Sequence, residues 1–266
     1  MVKCQQHWML NTSVIRLIAS CSLPILPAIF LLTAYDLLET GLIARLCTAQ
    51  LTALGFSAPV TTAMVGVAIA LSVATNSWVC RLKASQSGSD QAINHHIGRV
   101  LSFATIVTLL FSCLLYVSVP YIYSALGASD TTSNALAPAA LPLVVEYTEL
   151  RVLGWVMLVL VWQVNGILRS LGHIKPASLL LIGWMLAKSL VAYFWIGGGA
   201  CDHVQGAGLI GAAYAHLIAD GLFALLSVGL LARGLDLNLR DLAPHAWRFT
   251  ATQLSVTGMN AGVQQL

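Results

Sequence analysis

The sequence predicts an all-α, polytopic membrane protein with six transmembrane helices. Of its 266 residues, 58% are hydrophobic and only 9% are charged, whereas a soluble domain carries about 25% charged residues. Six stretches are apolar over the roughly 20 residues that a helix needs to cross a bilayer. They are 14–40, 53–79, 97–121, 141–168, 176–197 and 207–231.

The first span is predicted to remain in the mature protein. A secretory signal has an apolar region of about 7 to 15 residues and then a small-residue cleavage site. Here the apolar tract runs from Val14 to Leu38 and leads directly into charged residues. We therefore expect a retained transmembrane helix.

The breaks between later spans have the composition of loops. Two are polar, "RLKASQSGSD" (81–90) and "GASDTTSNALAP" (127–138). The other two are "RSLGHIKP" (169–176), which is short and basic, and "GGGACDHVQGAG" (197–208), which is glycine-rich. Glycine, proline and small polar residues are typical of turns and loops.

The basic residues predict a cytoplasmic N-terminus and a cytoplasmic end of span six. With that orientation the outer segments hold Arg45, and Arg151 lies near the outer end of span four. The inner segments hold Lys3, Arg16, Arg81, Lys83, Arg99, Arg169, Lys175, Arg233, Arg240 and Arg248. This asymmetry follows the positive-inside rule, which also explains the net charge of +3 without a nucleic-acid partner.

The chain is predicted to contain three parts. Residues 1–232 form the six-span unit, and 233–250 form a basic cytoplasmic linker. The mildly apolar tail, 251–266, has about half the length of a span. We interpret it as the truncated start of a seventh helix, or as a tail along the membrane surface.

Four tracts resemble the multidrug and toxic compound extrusion (MATE) family of transporters. "SLPILPAIFLLTAYDLLETGLIARL" resembles its first helix, with a proline (Pro24) and later an acidic residue before threonine (Glu39-Thr40). "LTALGFSAPV" resembles the start of the second helix, with Pro59 in place. "GILRSLGHIKPASLLLIG" resembles the fourth loop, and "GAGLIGAAYAHLIAD" the opening of the sixth helix.

The resemblance implies a fold and a function. Family members have twelve spans in two six-span lobes, so this chain resembles the first lobe plus the beginning of the seventh helix. The implied function is export of organic compounds, cationic or amphipathic, in exchange for H+ or Na+. Export would occur by alternating access across the bacterial cytoplasmic membrane. The implied partners are the small-molecule substrate, the lipid bilayer and a second lobe or a second copy.

Span five departs from the family pattern. The family commonly has two asparagines and an Asp-Pro there, which would fall at Trp184, Ala187, Val191 and Ala192. Those polar groups help to form the cation site in many members. Because none is present, the coupling ion is left open between H+ and Na+.

Two carboxylates in the first span are the first candidates for cation coupling. Asp36 and Glu39 are spaced i, i+3 and therefore share one helical face. A carboxylate at a helix centre costs about 2.5–3.5 kcal/mol on insertion scales. We predict a shared-proton pair in an outer-half cavity, because Glu39 matches the acidic position of the family. The alternative is that both acids lie at the outer interface.

Three further residues complete the predicted coupling group. Lys188 lies near the middle of span five, where a lysine must pair with an acid or lose its proton. Glu39, Asp36 and Asp220 are its candidate partners, and snorkelling between lobes is the alternative. His216 and Asp220, spaced i, i+4 on span six, form either a proton relay or an ordinary interhelical hydrogen bond.

Tyr35, Gln163 and Trp184 are candidates for lining the substrate cavity, and packing is the alternative for Gln163. Glu146, Glu149 and Arg151 are predicted to form a solvated salt-bridge cluster at the outer mouth of span four. No metal site is expected, because the six cysteines lie far apart with no Cys/His ligand spacing.

Two other functional classes remain as alternatives. The chain could be a truncated membrane product without transport activity, which the half-length tail favours. An intramembrane enzyme using His216 and Asp220 as acid–base groups is the other, but no nucleophile or metal set accompanies them. No cofactor or catalytic residue is predicted, and no GxxxxGK[ST] phosphate-binding loop occurs.

Overall fold

A computed structural model describes residues 22–23, 26–85, 90–125, 137–196 and 208–235. The described chain contains six long helices: α1 (Leu26–Ala44), α2 (Thr48–Ser85), α3 (Asp90–Ala125), α4 (Ala137–Ser170), α5 (Ile174–Ile196) and α6 (Gly208–Leu235). Each is long and apolar enough to cross a membrane. The prediction of an all-α membrane protein with six spans is therefore confirmed.

The helix boundaries differ from the predicted spans, and the difference between α1 and α2 changes the position of Glu39. Helix α1 continues to Ala44, and α2 begins at Thr48, although the apolar pattern had predicted a break from 41 to 52. Glu39 therefore lies inside α1, five residues before its end. Pro24, most of the predicted first span before Leu26, and the predicted linker and tail beyond Leu235 lie outside the described residues.

Helix α4 is the central helix of the bundle. It packs against α2, α3, α5 and α6, and 67% of its apolar window is buried, compared with 17% for α2 and 28% for α3. Helix α1 packs mainly on α5, and α6 packs on both α4 and α5. Helices α1, α4, α5 and α6 therefore converge, and their facing residues form the interior described below.

Small residues allow α4 to approach its neighbours closely, as is common between membrane helices. A Cβ atom added at Gly166 would lie 2.7 Å from the Ser72 hydroxyl of α2. That hydroxyl donates a hydrogen bond to the Trp162 carbonyl oxygen at 2.8 Å. On the opposite side, Gly154 leaves only enough room for Leu217 of α6.

Glycine also closes the turn between α4 and α5. Gly172 has φ +92°, which glycine adopts without the steric cost that a side chain would add. The His173 amide donates to the Leu168 carbonyl at 2.9 Å, and the Gly172 amide donates to Arg169 at 3.0 Å. These two bonds form a Schellman motif, which reverses the chain sharply enough for α5 to pack back on α4.

The start of α6 is fixed by α2. The Leu209 amide donates a hydrogen bond to the Gln50 side-chain oxygen at 3.0 Å, and Gly208 takes φ +52° beside the same side chain. The first residues of α6 therefore lie beside the first residues of α2. We refer to this side of the molecule as the α1–α2 end of the bundle, and the positive-inside pattern predicts that it faces outward.

Candidate functional site

The first feature of the interior is a buried acid–imidazole pair. The two carboxylate oxygens of Glu39 on α1 each lie 3.1 Å from Nε2 of His216 on α6. The Tyr147 hydroxyl of α4 donates to Glu39 Oε1 at 3.2 Å. Glu39 is only 6% exposed and His216 only 5%. We call these three residues the Glu39 cluster.

Tyr35 connects this cluster to the rest of the interior. Its hydroxyl lies 3.0 Å from Nε2 of His216, and the two rings meet edge to face with centroids 5.3 Å apart. Nε2 therefore has two oxygen neighbours, the Glu39 carboxylate and the Tyr35 hydroxyl. When Nε2 carries a proton it donates, and when Nε2 is bare it accepts from the hydroxyl, so these contacts respond to where the proton resides.

A second charged pair lies on the other side of Tyr35. Nζ of Lys188 on α5 lies 3.2 Å from Oδ1 of Asp220 on α6, and Trp184 Nε1 donates to the same oxygen at 2.9 Å. The ammonium group also lies 4.7 Å from the Trp184 ring centroid and 5.4 Å from that of Tyr35, within the range of cation–π attraction. We call Lys188, Asp220 and Trp184 the Lys188 cluster.

Both clusters lie inside the membrane-spanning part of the bundle. At 1.5 Å per residue, Glu39 is about 7 Å from the end of α1 and His216 about 12 Å from the start of α6. Lys188 is about 12 Å from the end of α5, and Asp220 about 18 Å from the start of α6. All four measurements start at the α1–α2 end.

A polar cavity of about 350 Å³ opens beside the Glu39 cluster. Nine of its twelve lining residues are polar, so water or a polar solute can occupy it. They are Asp36, Glu39 and Thr40 of α1, Ser57, Thr61 and Thr62 of α2, Tyr147 and Arg151 of α4, and His216 of α6. None of the residues of the Lys188 cluster lines this cavity.

The predicted pairing of Asp36 with Glu39 needs correction. Both side chains line the cavity, as their shared face indicated, but no hydrogen bond joins them. Glu39 is buried against His216, whereas Asp36 is exposed. The reason is angular, because residues three apart on a helix differ by about 60° around its axis. One points at α6 and the other does not.

His216 and Asp220 do not bond to each other, so a proton relay between them is not seen. Both instead form interhelical hydrogen bonds, the alternative that the sequence left open. His216 is bonded to Glu39 and Tyr35, and Asp220 to Lys188 and Trp184. Each side chain meets a partner from a different neighbouring helix, α1 or α5. Of the three acids considered for Lys188, Asp220 is the partner. At 4% exposure, Lys188 does not snorkel.

The three predicted cavity residues take different positions. Trp184 lines a second cavity of about 260 Å³, which is mostly apolar and lies between α1, α2, α4 and α5. Tyr35 lines neither of these two cavities, because its ring and hydroxyl are enclosed between the two clusters. Gln163 is fully buried, and its amide has no hydrogen-bond partner among the described residues.

Sequence reasoning missed Tyr147 and misplaced Arg151. The predicted salt-bridge cluster is wrong for Arg151, since in the described structure it makes no ion pair with Glu146 or Glu149. It lies well inside α4, lines the polar cavity and is partly buried. Position 151 is ten residues into the predicted span, or about 15 Å deep. That spacing was the available indication, and Tyr147 lies four residues earlier on the same face.

The groups around Glu39 have the chemistry of proton exchange. Within the described ranges, no three His, Cys, Asp or Glu side chains group closely enough to hold a metal ion. The neighbours of Glu39 are an imidazole and a phenol, both of which can donate or carry a proton. Glu39 can therefore exchange a proton with His216 or with the cavity.

Comparison with known proteins identifies the family. The MatE family model matches residues 24–194, more than half of the chain. A curated relative, a FAD transporter of Shewanella oneidensis, is 28% identical over 226 residues. The match covers 84% of this chain but 48% of that transporter, so the chain spans about half the length of the relative.

Solved structures share the fold. A MOP superfamily transporter from Pyrococcus furiosus is 21% identical, with a TM-score of 0.73. The match covers 97% of this chain and 54% of that transporter. An outward-facing multidrug resistance MATE transporter is 22% identical with a TM-score of 0.74 and the same two coverages. A MATE structure in complex with MaD3S is 20% identical, with a TM-score of 0.77. That match covers 97% of this chain and 55% of the MATE chain. The chain belongs to the MatE family of membrane transporters.

Proposed function

We propose that this chain is the six-helix lobe of a secondary transporter that exports organic small molecules in exchange for protons. One observation carries the proposal. Glu39 is a buried carboxylate within a helix long and apolar enough to span a membrane, and it also lines a polar cavity of about 350 Å³. Ionisable residues inside a membrane are rare and mark transport pathways.

Proton coupling follows from the neighbours of Glu39. Both of its oxygens contact His216 Nε2, and Tyr147 occupies Oε1 as a hydrogen-bond donor. Hard cations prefer several oxygen ligands, whereas these neighbours present a nitrogen atom and an O–H donor. A proton can move between Glu39 and His216 without any change of coordination. We therefore propose H+ rather than Na+ as the coupling ion.

The Lys188 cluster has a supporting role in this proposal. Lys188 and Asp220 neutralise each other and lie away from the polar cavity. They hold the Tyr35 ring from one side while its hydroxyl contacts His216 from the other. We infer that the pair positions Tyr35 against the proton-carrying residues instead of exchanging protons itself.

The working transporter contains a second lobe in this proposal. The chain covers 48% of the curated relative and 54–55% of the structural neighbours compared above. A second lobe from the same gene product or from a second copy would complete the other side of the pathway. Alternating access between the two lobes, as in other repeat-built transporters, then exposes the cavity to each side of the bacterial cytoplasmic membrane in turn.

The test is transport by the native gene product in proteoliposomes. Ethidium uptake into the vesicles is measured with an imposed pH gradient and, separately, with a sodium gradient alone. We expect the pH gradient to drive uptake and the sodium gradient to have no effect. Glu39→Gln, which keeps the shape of the side chain but cannot carry the charge, is expected to abolish the pH-driven component.

Glu146→Gln provides the matched control, because Glu146 is an exposed carboxylate of α4 that does not line the cavity. It should transport like the unsubstituted protein. Uptake that follows the sodium gradient, or pH-driven uptake that survives Glu39→Gln, would contradict the proposal. Absence of transport by the unsubstituted protein, both of ethidium and of the acidic dyes named below, would support a non-transporting membrane product instead.

A further inference from the structure

Arg151 is a charged residue of the polar cavity to which proton coupling assigns no role. It projects from α4 into the same cavity as Asp36, Glu39 and His216. Its Nε atom is buried, yet it has no hydrogen-bond partner among the described residues. A guanidinium group has five N–H donors in a planar fork, so this donor is available to a group that enters the cavity.

The carboxylates of the cavity do not use these donors. Both oxygens of Glu39 contact His216, and one also accepts from Tyr147. Asp36 lines the cavity but forms no ion pair with Arg151 in the described structure. Leaving a charged donor unpaired in a buried site is costly, whereas a cavity of about 350 Å³ has space for a polar group of a solute.

We propose that Arg151 recognises an oxyanion, a carboxylate or phosphate group, on the transported molecule. This inference rests on the proposed transport function and defines its substrate class. The planar fork of arginine matches such groups with two parallel hydrogen bonds. Asp36, on the α1 side of the cavity, disfavours a second negative charge there. The preferred substrate therefore has one acidic end at Arg151 and a neutral or cationic remainder toward Asp36.

Equilibrium binding to matched dye pairs tests this preference without any transport. The first pair is riboflavin and flavin mononucleotide, which differ by one phosphate group. Flavins are chosen because the relative from Shewanella oneidensis is described as a FAD transporter. The second pair is rhodamine B and its ethyl ester, which differ by one free carboxylate. Binding is followed by fluorescence with the native gene product in lipid nanodiscs.

In at least one pair, the acidic member is expected to bind with a Kd about tenfold lower, or lower still, than that of its counterpart without the acidic group. One charge-assisted hydrogen-bonded contact is enough for such a difference. The pair that shows the preference identifies the oxyanion as phosphate or carboxylate. Arg151→Gln should remove the preference and leave the binding of riboflavin or the rhodamine ester within about twofold. Arg151→Lys, which keeps the charge but loses the fork, should retain part of it.

Arg45→Gln is the matched control, because Arg45 is an exposed arginine close to the same end of the bundle and does not line the cavity. It should preserve whichever preference the unsubstituted protein shows. Equal binding within both pairs by the unsubstituted protein would overturn the proposal, even if Arg151→Gln failed to fold. Equal weakening of both members by Arg151→Gln would also overturn it, since Arg151 would then only balance the buried acids. Because no proton gradient is used, a failure of proton coupling would leave this readout intact.

Discussion

The two charged clusters of this molecule contain similar groups but differ in their access to solvent. The Glu39 cluster borders a polar cavity of about 350 Å³. Of the Lys188 cluster only Trp184 lines a cavity, the mostly apolar one of about 260 Å³, and neither Lys188 nor Asp220 lines either cavity. Glu39, His216, Lys188 and Asp220 are all at most 6% exposed. The difference therefore lies in what surrounds each pair, and not in how deeply its side chains are buried.

This difference separates two uses of charge inside a membrane. A pair without access to water has to stay neutral as a whole, because removing either charge leaves the other uncompensated. A carboxylate beside a polar cavity can lose or gain a charge, since water or a solute can solvate what remains. We therefore expect substitutions in the Lys188 cluster to reduce stability, and substitutions in the Glu39 cluster to change transport.

The largest expected effect is on the Lys188–Asp220 pair. Lys188→Met leaves the Asp220 carboxylate without its counter-charge and should destabilise the protein by about 3–5 kcal/mol. The double variant Lys188→Met with Asp220→Asn removes both charges and should recover most of that loss. Thermal denaturation, monitored by size-exclusion chromatography, compares the stability of the unsubstituted protein, Lys188→Met and the double variant.

Transport by the double variant then decides the role of Lys188. If the pair only positions Tyr35, a stable double variant should retain pH-driven ethidium transport. Loss of transport by a double variant with normal thermal stability would show that Lys188 takes part in coupling directly. That outcome would support the sequence-based prediction that Lys188 belongs to the cation-coupling group.

A smaller stability effect is expected in the Glu39 cluster. His216→Asn removes the imidazole from Glu39 but leaves the carboxylate facing the cavity, where water can replace the lost contact. The loss should be about 1–3 kcal/mol, the usual cost of leaving a buried polar group without its partner. A loss equal to that of Lys188→Met would mean that the cavity does not hydrate Glu39. Thermal denaturation of both variants in parallel makes this comparison.

Tyr35→Phe is expected to have a smaller effect again, and it tests the link between the clusters. The substitution removes the hydroxyl beside His216 and keeps the ring beside Lys188. One hydrogen bond contributes about 0.5–1.5 kcal/mol. A double-mutant cycle with His216→Asn should show the larger coupling, because the hydroxyl contacts His216 directly. A cycle with the Lys188/Asp220 double variant should show a smaller one, because that pair acts on the hydroxyl only through the ring. The reverse pattern would place the influence of Tyr35 in its ring and not in its hydroxyl.

The comparison also explains how far the sequence was informative. Hydropathy alone predicted all six helices in the correct order, because a bilayer imposes a minimum length of apolar sequence. It also placed Lys188, His216 and Asp220 well inside predicted spans, whereas Glu39 lay at the end of its span. These inferences need only local sequence and the known thickness of the hydrocarbon core.

The partners could not be read in the same way. His216 and Asp220 are four residues apart, about 40° around one helix, and their spacing suggested a mutual contact. They instead meet Glu39 and Lys188, which are provided by α1 and α5. Those contacts depend on how the helices pack around α4, and helical spacing within one segment contains no information about it. Arg151 is a different case, because its position ten residues into span four already indicates its depth.

Gln163 provides the smallest expected effect, and its sign is opposite to the others. It lies on α4, fully buried, with neither amide atom hydrogen-bonded among the described residues. A buried amide without partners costs stability, and an apolar residue of similar size removes that cost. We expect Gln163→Leu to leave stability unchanged or raise it by up to about 1–2 kcal/mol, with ethidium transport preserved. Thermal denaturation and the vesicle assay check both parts. A clear loss of transport at normal stability would return Gln163 to the substrate pathway that its sequence position first suggested.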